Sequence, residues 1–480
     1  MALTMVGFDT EDEEFDASRY IRQLRAIIRW KWHGGAGSLV LPTGFGKSIT
    51  AFIAIHKLRK KNENIKVIIS VPTKSLKRQW DKHVAKQGLE NNVKVYVINT
   101  IALKEDTYDC DLFIPDECHL TAGDEFFTLY RKVRTKFIMP LTGTMFRLDG
   151  RDHWITDIAP VCDEISVREA VNKGWLAESY TFNLSVSLSR KESKKQVNLN
   201  KLIRQYMSKF GKIPNKKAFN VMLMCMDSRN AFKFARRFNY ETRDVIKWAV
   251  HCNRLIKERT DFVNNTERKV EATLELINEF KVRTITFSQS VAFSEEITKG
   301  IEGSVGYHSK IDSITRPELR TKTYKTLNGA RKFCAKIVGS TISHENGVHI
   351  VSWYKDVRVS GEKIAEENLD RFLSGEVDNL NAAKAINQGF DDTSVRLGIK
   401  TSGTSSHATY DQIKGRVIRA HKIDGVKIPK IFINIYIPDW CVANSIDEQK
   451  LRLAQVNDFN VVWSDDIDEV KRLVWKILNR

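Results

Sequence analysis

A glycine-containing loop between an apolar strand and a helix is the feature that most constrains the fold of this chain. The stretch LPTGFGKSIT, residues 41–50, follows the apolar run GSLVL and precedes SITAFIAIHKLRKK, whose apolar residues recur at helical spacing. The phosphate-loop pattern G-x-x-x-x-G-K-[ST] expects glycine at position 41, where this chain has leucine. A phosphate site needs only a tight turn that aims backbone N–H groups, a lysine and a hydroxyl. Gly44 and Gly46 supply the turn, Lys47 the charge and Ser48 the hydroxyl, so we interpret the stretch as a phosphate loop; the alternative is a chance glycine turn.

Alternation of strands and helices defines the expected fold class. Five strand-like runs occur in order with helical segments between them: GSLVL, KVIISV, VKVYVI, DLFIP and KFIMPL. This alternation predicts an α/β domain with a parallel sheet and helices on both faces, in which ligands bind at the carboxyl ends of the strands. The alternation resumes at RTITFS and predicts a second α/β domain of the same kind.

The 480-residue length is too great for one core and predicts two or three domains. We expect a first domain over 1–184, a basic helical segment over 185–265, a second domain over 266–442 and terminal helices over 443–480. The second domain is expected to carry a β-rich insertion at 314–361, with short strands turned at HENG, residues 344–347.

The charge balance indicates a polyanionic partner. The chain has 77 Lys and Arg against 59 Asp and Glu, a formal net charge of +18. Such an excess is typical of nucleic-acid-binding proteins, although a solvated basic surface is the alternative.

Other features exclude whole classes of protein. No apolar run approaches the length of a membrane span, and the N-terminus is acidic, unlike a signal peptide, so we expect an intracellular, cytoplasmic protein without a membrane partner. Seven cysteines without a C-x-x-C pair argue against a disulfide framework or a zinc site. Mg²⁺ bound with nucleotide is the only metal we expect.

Two carboxylates follow the fourth strand-like run. In DLFIPDECHL the apolar run ends at Asp116 and Glu117. In phosphate-loop ATPases a carboxylate at a strand end helps to hold Mg²⁺, and a neighbouring glutamate can polarise the attacking water. These two residues are placed for those roles, with a surface turn as the alternative.

Three further stretches carry polar groups at positions suited to phosphate chemistry. LTGT places Thr142 and Thr144 about a glycine at the end of the fifth run, and Thr73 ends a strand in VPTKSLKRQW. QIKGRVIR places Arg416 and Arg419 on one face of a helix, from which they could reach a γ-phosphate across a cleft. The alternative for the arginines is an ordinary basic helix face.

Taken in order, these stretches resemble the motifs of superfamily 2 helicases. The glycine loop is similar to motif I, VPTKSLKRQW to motif Ia, DECH to the DEAH-type motif II and LTGT to motif III. TITFSQS is similar to motif IV, NQGFDD to motif V and QIKGRVIR to motif VI. The segment APVCDEISVREAVNKGWLA also resembles the branch that holds the XPB repair helicase and the phage UvsW recombination helicase. Pro115, Gly143 and Met145 depart from the usual motif residues and Lys414 replaces an arginine, which implies a divergent, phage or viral-type member.

The resemblance implies two RecA-like domains that bind ATP and Mg²⁺ between them, and it implies a role for each matching residue. Thr43, Gly44, Gly46, Lys47 and Ser48 would bind the phosphates, with Ser48 and Asp116 on Mg²⁺ and Glu117 on water. Gln412, Arg416 and Arg419 would face the γ-phosphate, and Thr142 and Thr144 would couple hydrolysis to movement. Gly389 and Asp391 would lie at the edge of the nucleotide between the two domains. Gln23 would read adenine beside Arg22, which replaces the usual aromatic. The implied nucleic-acid contacts are Thr73, Lys74, Thr100, Ser288 and Gln289.

The expected function is an ATP-dependent DNA helicase or translocase acting in replication, recombination or repair. An RNA helicase is one alternative, and a nucleic-acid clamp or scaffold with an ATPase fold but no motor activity is another. The insertion at 314–361 is either a wedge or duplex grip, through basic and aromatic residues such as Arg331, Lys332 and Trp353, or a satellite subdomain that packs its aromatics internally.

Overall fold

A computed structural model describes residues 16–147, 149–213, 217–383, 392–403, 407–419, 422–423, 426–438, 446–455, 458 and 460–479. Within these residues, none of the helices combines the length and the apolar character needed to cross a bilayer.

The first domain consists of parallel strands with helices on both faces. Two short 3₁₀ helices, Cys118–Thr121 and Phe126–Thr128, follow its fourth strand. The other elements are, in chain order, α1 Ala17–Trp32, β1 Ser38–Val40, α2 Lys47–Arg59, β2 Val67–Val71, α3 Lys74–Lys86, β3 Val93–Val97, α4 Ile98–Leu103, β4 Tyr108–Pro115, α5 Leu129–Lys132, β5 Val133–Ile138, β6 Leu141–Thr142, α6 His153–Thr156, β7 Val161–Glu164 and α7 Val167–Asn172.

The strands of the first domain form one continuous parallel sheet. Strands pair in the order β3-β2-β4-β5 and β6-β1-β7, and single bridges, including that between Asp116 and Leu141, join the two groups. All five strand-like runs of the sequence lie in this sheet, because their continuous apolar residues are buried between helices on both faces. Pro115 is the last residue of β4, where the lack of an N–H donor disturbs the ladder least.

The second domain contains the described residues from Ser179 onward, including two insertions. Its elements are, in chain order, β8 Ser179–Ser185, α8 Arg190–Phe210, α9 Ala218–Met224, α10 Ser228–Phe238, α11 Thr242–Asn264, α12 Glu267–Phe280, β9 Thr284–Ser288, α13 Val291–Gly300, β10 Ser304–Tyr307, β11 Ile314–Tyr324, α14 Leu327–Cys334, β12 Thr341–Glu345, β13 Val348–Val359, α15 Gly361–Leu373, β14 Asn379–Ala383, β15 Leu397–Lys400, α16 His407–Val417, β16 Lys422–Ile423, β17 Val426–Lys427, β18 Lys430–Tyr436, α17 Ile446–Ala454, β19 Val461–Ser464 and α18 Ile467–Leu478.

Seven parallel strands form the second sheet, in the order β10-β14-β9-β15-β18-β8-β19. The structure corrects two predicted boundaries. Strand β8 pairs with β18 and β19, so the first domain ends before Ser179 and not at residue 184. The region 443–480 is not purely helical, because β19 adds an edge strand to this sheet.

The two insertions fold differently. Helices α8 to α11 lie between β8 and α12 and enclose a core of their own, which includes Phe210 and Phe234. Strands β11, β13 and β12 form an antiparallel sheet in that order, with α14 packed on one face. Asn346 and Gly347 connect β12 to β13 with φ of 49° and 78°, as expected for an Asn-Gly hairpin turn.

Candidate functional site

The phosphate loop joins β1 to α2 and requires glycine at two positions. Gly44 and Gly46 have φ of 87° and 100°, in the left-handed region that side chains disfavour. At Gly46 a Cβ would also lie 2.7 Å from Nε2 of Gln23. Helix α2 begins at Lys47, so the unpaired N–H groups and the positive dipole end of the helix adjoin the loop. The loop therefore has the geometry of an anion site without a glycine at position 41.

The predicted catalytic carboxylates follow β4 and face the loop. Nζ of Lys47 lies 3.5 Å from Oε1 of Glu117, and both side chains are about nine-tenths buried. Nε1 of the buried Trp80 donates to Oδ2 of Asp116 at 2.9 Å. Glu117 has a φ of 50°, an uncommon conformation for a residue with a side chain and one that clusters at functional sites. These contacts fix both carboxylates opposite the lysine.

The two neighbouring carboxylates have different electrostatic environments. Burial, together with the charge of Glu117, raises the pKa of Asp116 to about 6, although Lys47 and Trp80 oppose the rise. Burial would also raise the pKa of Glu117, but Lys47, His119 and Arg416 hold that pKa below its ordinary value. Glu117 therefore stays ionised near neutral pH and is suited to accept a proton.

The two predicted coupling residues are joined to the carboxylates through His119. Oγ1 of Thr142 lies 2.9 Å from Nδ1 of His119, and Nδ1 lies 3.6 Å from Oε2 of Glu117. The same hydroxyl accepts the N–H of Thr144 at 3.2 Å and donates to its carbonyl oxygen at 2.7 Å. A short polar connection thus runs from the carboxylate to the turn after β6.

Helix α16 brings residues of the second domain to the phosphate loop. Arg416 and Arg419 line the same cleft as Lys47 and Glu117. Gln412 is buried, and Nε2 of its amide has no hydrogen-bond partner among the described residues. The cleft therefore combines a lysine and two carboxylates from one domain with two guanidiniums from the other.

Two predicted sites have surroundings that the sequence did not reveal. Gln23 is 1 % exposed and donates to the carbonyl of Phe45 at 3.1 Å, so it braces the back of the loop. Arg22, where an aromatic is usual, forms a buried ion pair with Asp163. The adenine-reading role of Gln23 stays a prediction, and in this conformation its amide binds the loop.

The five predicted nucleic-acid contacts lie at or just beyond the carboxyl ends of β2, β3 and β9. Thr73 caps α3 by accepting the N–H of Leu76 at 3.3 Å, and Lys74 and Gln289 are exposed. Ser288 is buried, and its hydroxyl donates to the carbonyl oxygen of Ser290 at 2.8 Å. The hydroxyl hydrogen is therefore already used within the turn. Thr100 is partly exposed in α4. Their contact with nucleic acid stays a prediction, as do the roles of Gly389 and Asp391, which lie outside the described residues.

The structure adds cleft residues that sequence reasoning missed. Arg19 precedes Gln23 by four residues, and three residues of α3 recur at spacings of three and four, so each set lies on one helix face beside a recognised motif. This helical spacing was the sequence signal that could have identified them as cleft residues. The added residues are Arg19, Leu76, Gln79, His83 and Thr393.

The cleft suits a nucleotide with Mg²⁺ better than a metal held by protein alone. Among the described residues, no group of three or more His, Cys, Asp or Glu side chains is arranged to hold a metal ion. Ser48 and Asp116 both line the cleft, and Oε2 of Glu117 is a buried oxygen without a hydrogen-bond partner in the described part of the chain. Hard oxygen donors with room for phosphates and water are what Mg²⁺ prefers.

Comparisons with known proteins match parts of this chain to a protein family and to a curated relative. Residues 19–109 match the family model described as "Type III restriction enzyme, res subunit". A curated relative, "DNA 3'-5' helicase XPB" of Mycobacterium tuberculosis, is 26% identical over 187 residues, which cover 34% of this chain and 33% of the relative. The chain thus matches about a third of the length of that relative.

Two solved structures are also similar in shape. S. cerevisiae Dbp5 bound to RNA and ADP BeF3 aligns with a TM-score of 0.52 and 13% identity, over 95% of this chain and 93% of that one. The Pyrococcus furiosus Hef helicase domain aligns with a TM-score of 0.47 and 15% identity, over 90% and 98% of the two chains.

The fold is that of a two-domain RecA-like protein, and the cleft between the domains is lined by the predicted nucleotide-binding residues. The family match and the curated relative support the predicted relationship to superfamily 2 helicases. Placement in a DEAH-type branch and a phage or viral origin stay predictions.

Proposed function

We propose that this protein is an ATP-dependent DNA helicase or translocase that acts on duplex or branched DNA in replication, recombination or repair. The observation that carries the proposal is the convergence of Lys47 and Glu117 from one domain with Arg416 from the other in a single cleft. A site divided between two domains lets ATP binding draw the domains together and lets product release separate them, which is the motion a motor needs.

The chemistry follows from the positions of the side chains. ATP would bind with its phosphates at the start of α2 beside Lys47, and Ser48 and Asp116 would hold Mg²⁺, which neutralises phosphate charge when bound. Glu117, ionised because of Lys47 and Arg416, accepts a proton from the attacking water. Arg416 and Arg419 stabilise the charge that develops on the transferred phosphoryl group.

Two observations favour DNA as the track. The curated relative with the matching segment is named as a DNA helicase, and the net charge of +18 suits a polyanion. The RNA-bound neighbour is similar in fold alone, at 13% identity. The DECH sequence, residues 116–119, supports placement in the DEAH-type branch with XPB and UvsW.

Steady-state ATPase with Mg²⁺ tests the proposal, measured without nucleic acid and with single-stranded DNA, duplex DNA, forked DNA and RNA. We expect stimulation by a form of DNA in the wild type and its loss in Glu117→Gln, while the exposed Glu90→Gln serves as the matched control. Stimulation by RNA alone would overturn the choice of DNA. Hydrolysis that no nucleic acid stimulates would favour the clamp or scaffold.

A further inference from the structure

The β insertion, residues 314–359, carries an excess of basic residues that the proposed mechanism does not use. It contains nine Lys and Arg against three Asp and Glu. Because side chains alternate across a strand, the register of β11, β13 and β12 assigns each charge to one face of the sheet. Two of the acidic residues, Glu345 and Asp356, share a face with Tyr354, opposite the face that α14 covers.

The face that carries α14 keeps its aromatic residues for internal packing. Phe333 of α14 lies 5.2 Å from Trp353 and 5.6 Å from Tyr324, measured between ring centroids. Nζ of Lys322 lies 4.9 Å from the centroid of Phe333, so this lysine also closes the cluster. These rings form the small core under α14. Because they are packed against each other, the exposed side chains of this face that can bind a ligand are mainly cationic.

The cations of this face differ in their partners. Near the base of the insertion, Arg316 forms a two-bonded pair with Glu367 at 2.7 and 2.8 Å, and Arg320 lies 3.2 Å from Glu318. Five other exposed cations of the insertion form no ion pair with another described residue. We call these the basic face: Lys325, Arg331, Lys332, Lys336 and Lys355.

Helix α15 contacts both the base of the insertion and helix α3 of the first domain. The insertion leaves the carboxyl end of β10 and returns directly into α15. Glu367 of α15 binds the insertion, while Glu366, the preceding residue, accepts from Arg78 of α3 at 2.6 Å. Helix α3 starts at Lys74, a predicted phosphate contact. One turn of α15 therefore contacts both the insertion, on the face that α14 covers, and helix α3, which begins at the predicted phosphate contact Lys74.

We propose that the basic face binds the phosphate backbone of duplex DNA next to the segment held between the two domains. The inference rests on the proposed function and adds a second contact surface to it. Proteins that bind single strands use exposed aromatics on which bases stack, whereas the rings of this face are already packed together. Clustered Lys and Arg side chains without exposed aromatic rings are suited to bind phosphates. Duplex DNA presents phosphates at a higher density than a single strand does.

The test compares two triple charge reversals in the full-length chain. Arg331→Glu/Lys332→Glu/Lys336→Glu removes the basic face. Lys57→Glu/Lys60→Glu/Lys61→Glu makes the same change in net charge at the far end of α2, which runs away from the carboxyl edge of the first sheet. Fluorescence anisotropy with labelled forked, duplex and single-stranded DNA would be recorded over a range of salt concentrations.

We expect the basic-face variant to bind duplex and forked DNA about tenfold or more weakly, with a salt slope smaller by about 2 to 3, and to bind single strands nearly as the wild type does. Basal ATPase without DNA should be unchanged. Equal losses in both triple variants, or equal losses for single and double strands, would overturn the proposal. If melting shows that the glutamates destabilise the fold, the Gln triple at the same positions decides between these outcomes.

A deletion provides a second test, because the ends of the insertion lie together. Ile314 pairs with Val359, and a Cβ at Gly361 would overlap the carbonyl oxygen of Ile311. A chain joined from Asp312 to Ser360 should therefore keep its basal ATPase and lose duplex affinity as the triple variant does. Unchanged duplex affinity would contradict the inference. If the wild type binds forked DNA but its ATPase is not stimulated, the proposed motor function is refuted instead. Failure of the proposed function can thus be distinguished from failure of the duplex-binding inference.

Discussion

Gly415 of α16 packs directly against Thr43 of the phosphate loop. A Cβ at this position would lie 2.6 Å from Cβ and 2.8 Å from Cγ2 of Thr43, which is nearer than real side chains approach. Gly415 therefore permits the contact that places Arg416 at the phosphates.

Substitution of Gly415 tests this close contact. In Gly415→Ala the added methyl group should push α16 away from Thr43, and we expect ATPase to fall about tenfold or more, since small displacements of catalytic groups are costly. Gly211→Ala is the matched control, because a Cβ there meets only ordinary contacts at 3.8 Å or more. Unaltered hydrolysis by Gly415→Ala would show that the domains do not work in this arrangement.

At the scale of single residues, the sequence was informative where function depends on local chain geometry. Lys47 and Glu117 were predicted because each follows a buried strand in a recognisable motif. The bond from Trp80 to Asp116, and the pair of Arg22 with Asp163, join residues 36 and 141 positions apart. These hydrogen-bond and ion-pair partners are determined by the tertiary fold, so they could not be predicted from a single sequence.

Among the elements, α16 is fixed within its own domain by a buried ion pair. Nζ of Lys414 lies 2.9 Å from Oδ1 of Asp458, and the two side chains are 6% and 10% exposed. The hydroxyl of Tyr410 donates to the other carboxylate oxygen at 3.1 Å. Lys414, which replaces the arginine of the motif it resembles, therefore has a carboxylate of its own domain as its partner.

Removal of one partner of this pair should destabilise the second domain. Asp458→Ala leaves the Lys414 ammonium buried without its carboxylate, and we expect the free energy of unfolding to fall by about 3 to 5 kcal/mol in urea denaturation. Adding Lys414→Met should recover most of the loss, since no buried charge then remains. A double variant no more stable than Asp458→Ala would contradict the ion-pair explanation.

The segment that brings Thr393 into the cleft is held by Lys430 of β18. Nζ of this fully buried lysine donates to the carbonyl oxygens of Thr393 and Val395, each at 2.5 Å. Burial lowers the pKa of Lys430 to about 7, and Asp392 only partly opposes it. A neutral amine still has two N–H donors for these carbonyls.

The lowered pKa of Lys430 gives a pH dependence of defined sign. Between about pH 7 and the unfolded value near 10.4, the unfolded state binds more protons, so the stabilisation rises with pH and is lost as pH falls toward 7. Measured against Lys430→Met, the wild-type free energy of unfolding should increase by at most about 1.4 kcal/mol per pH unit in this range. A difference that is flat with pH would mean that Lys430 stays charged in the folded protein.

The existence of elements was easier to predict than their membership of a sheet. The buried strands of both domains were predicted because continuous apolar runs suit a parallel sheet covered on both faces. β8 was assigned to the wrong domain, because chain order places it after the first domain while its partners β18 and β19 lie about 250 or more residues later. Sheet membership depends on those long-range pairings.

For the whole molecule, an exposed ion pair between α3 and α15 also bridges the two domains. Arg78 of α3 and Glu366 of α15 are 61% and 50% exposed and lie 2.6 Å apart. Since solvent screens such pairs, their contribution is at most about 1 kcal/mol. We expect Arg78→Glu to lower DNA-stimulated ATPase by about two- to fivefold, and Glu366→Arg in the same chain to restore it. A swap that restores nothing would show that the bridge does not contribute to closure.

The most direct test of a motor driven from the interdomain cleft is ATP-dependent strand separation on a labelled forked DNA, measured for the wild type and for Arg416→Ala. We expect the wild type to separate strands only with ATP and Mg²⁺. We expect Arg416→Ala to bind ATP and DNA yet separate no strands, with hydrolysis reduced about 10³-fold or more. Hydrolysis and strand separation at wild-type rates in Arg416→Ala would contradict the central claim that the second domain completes the catalytic site.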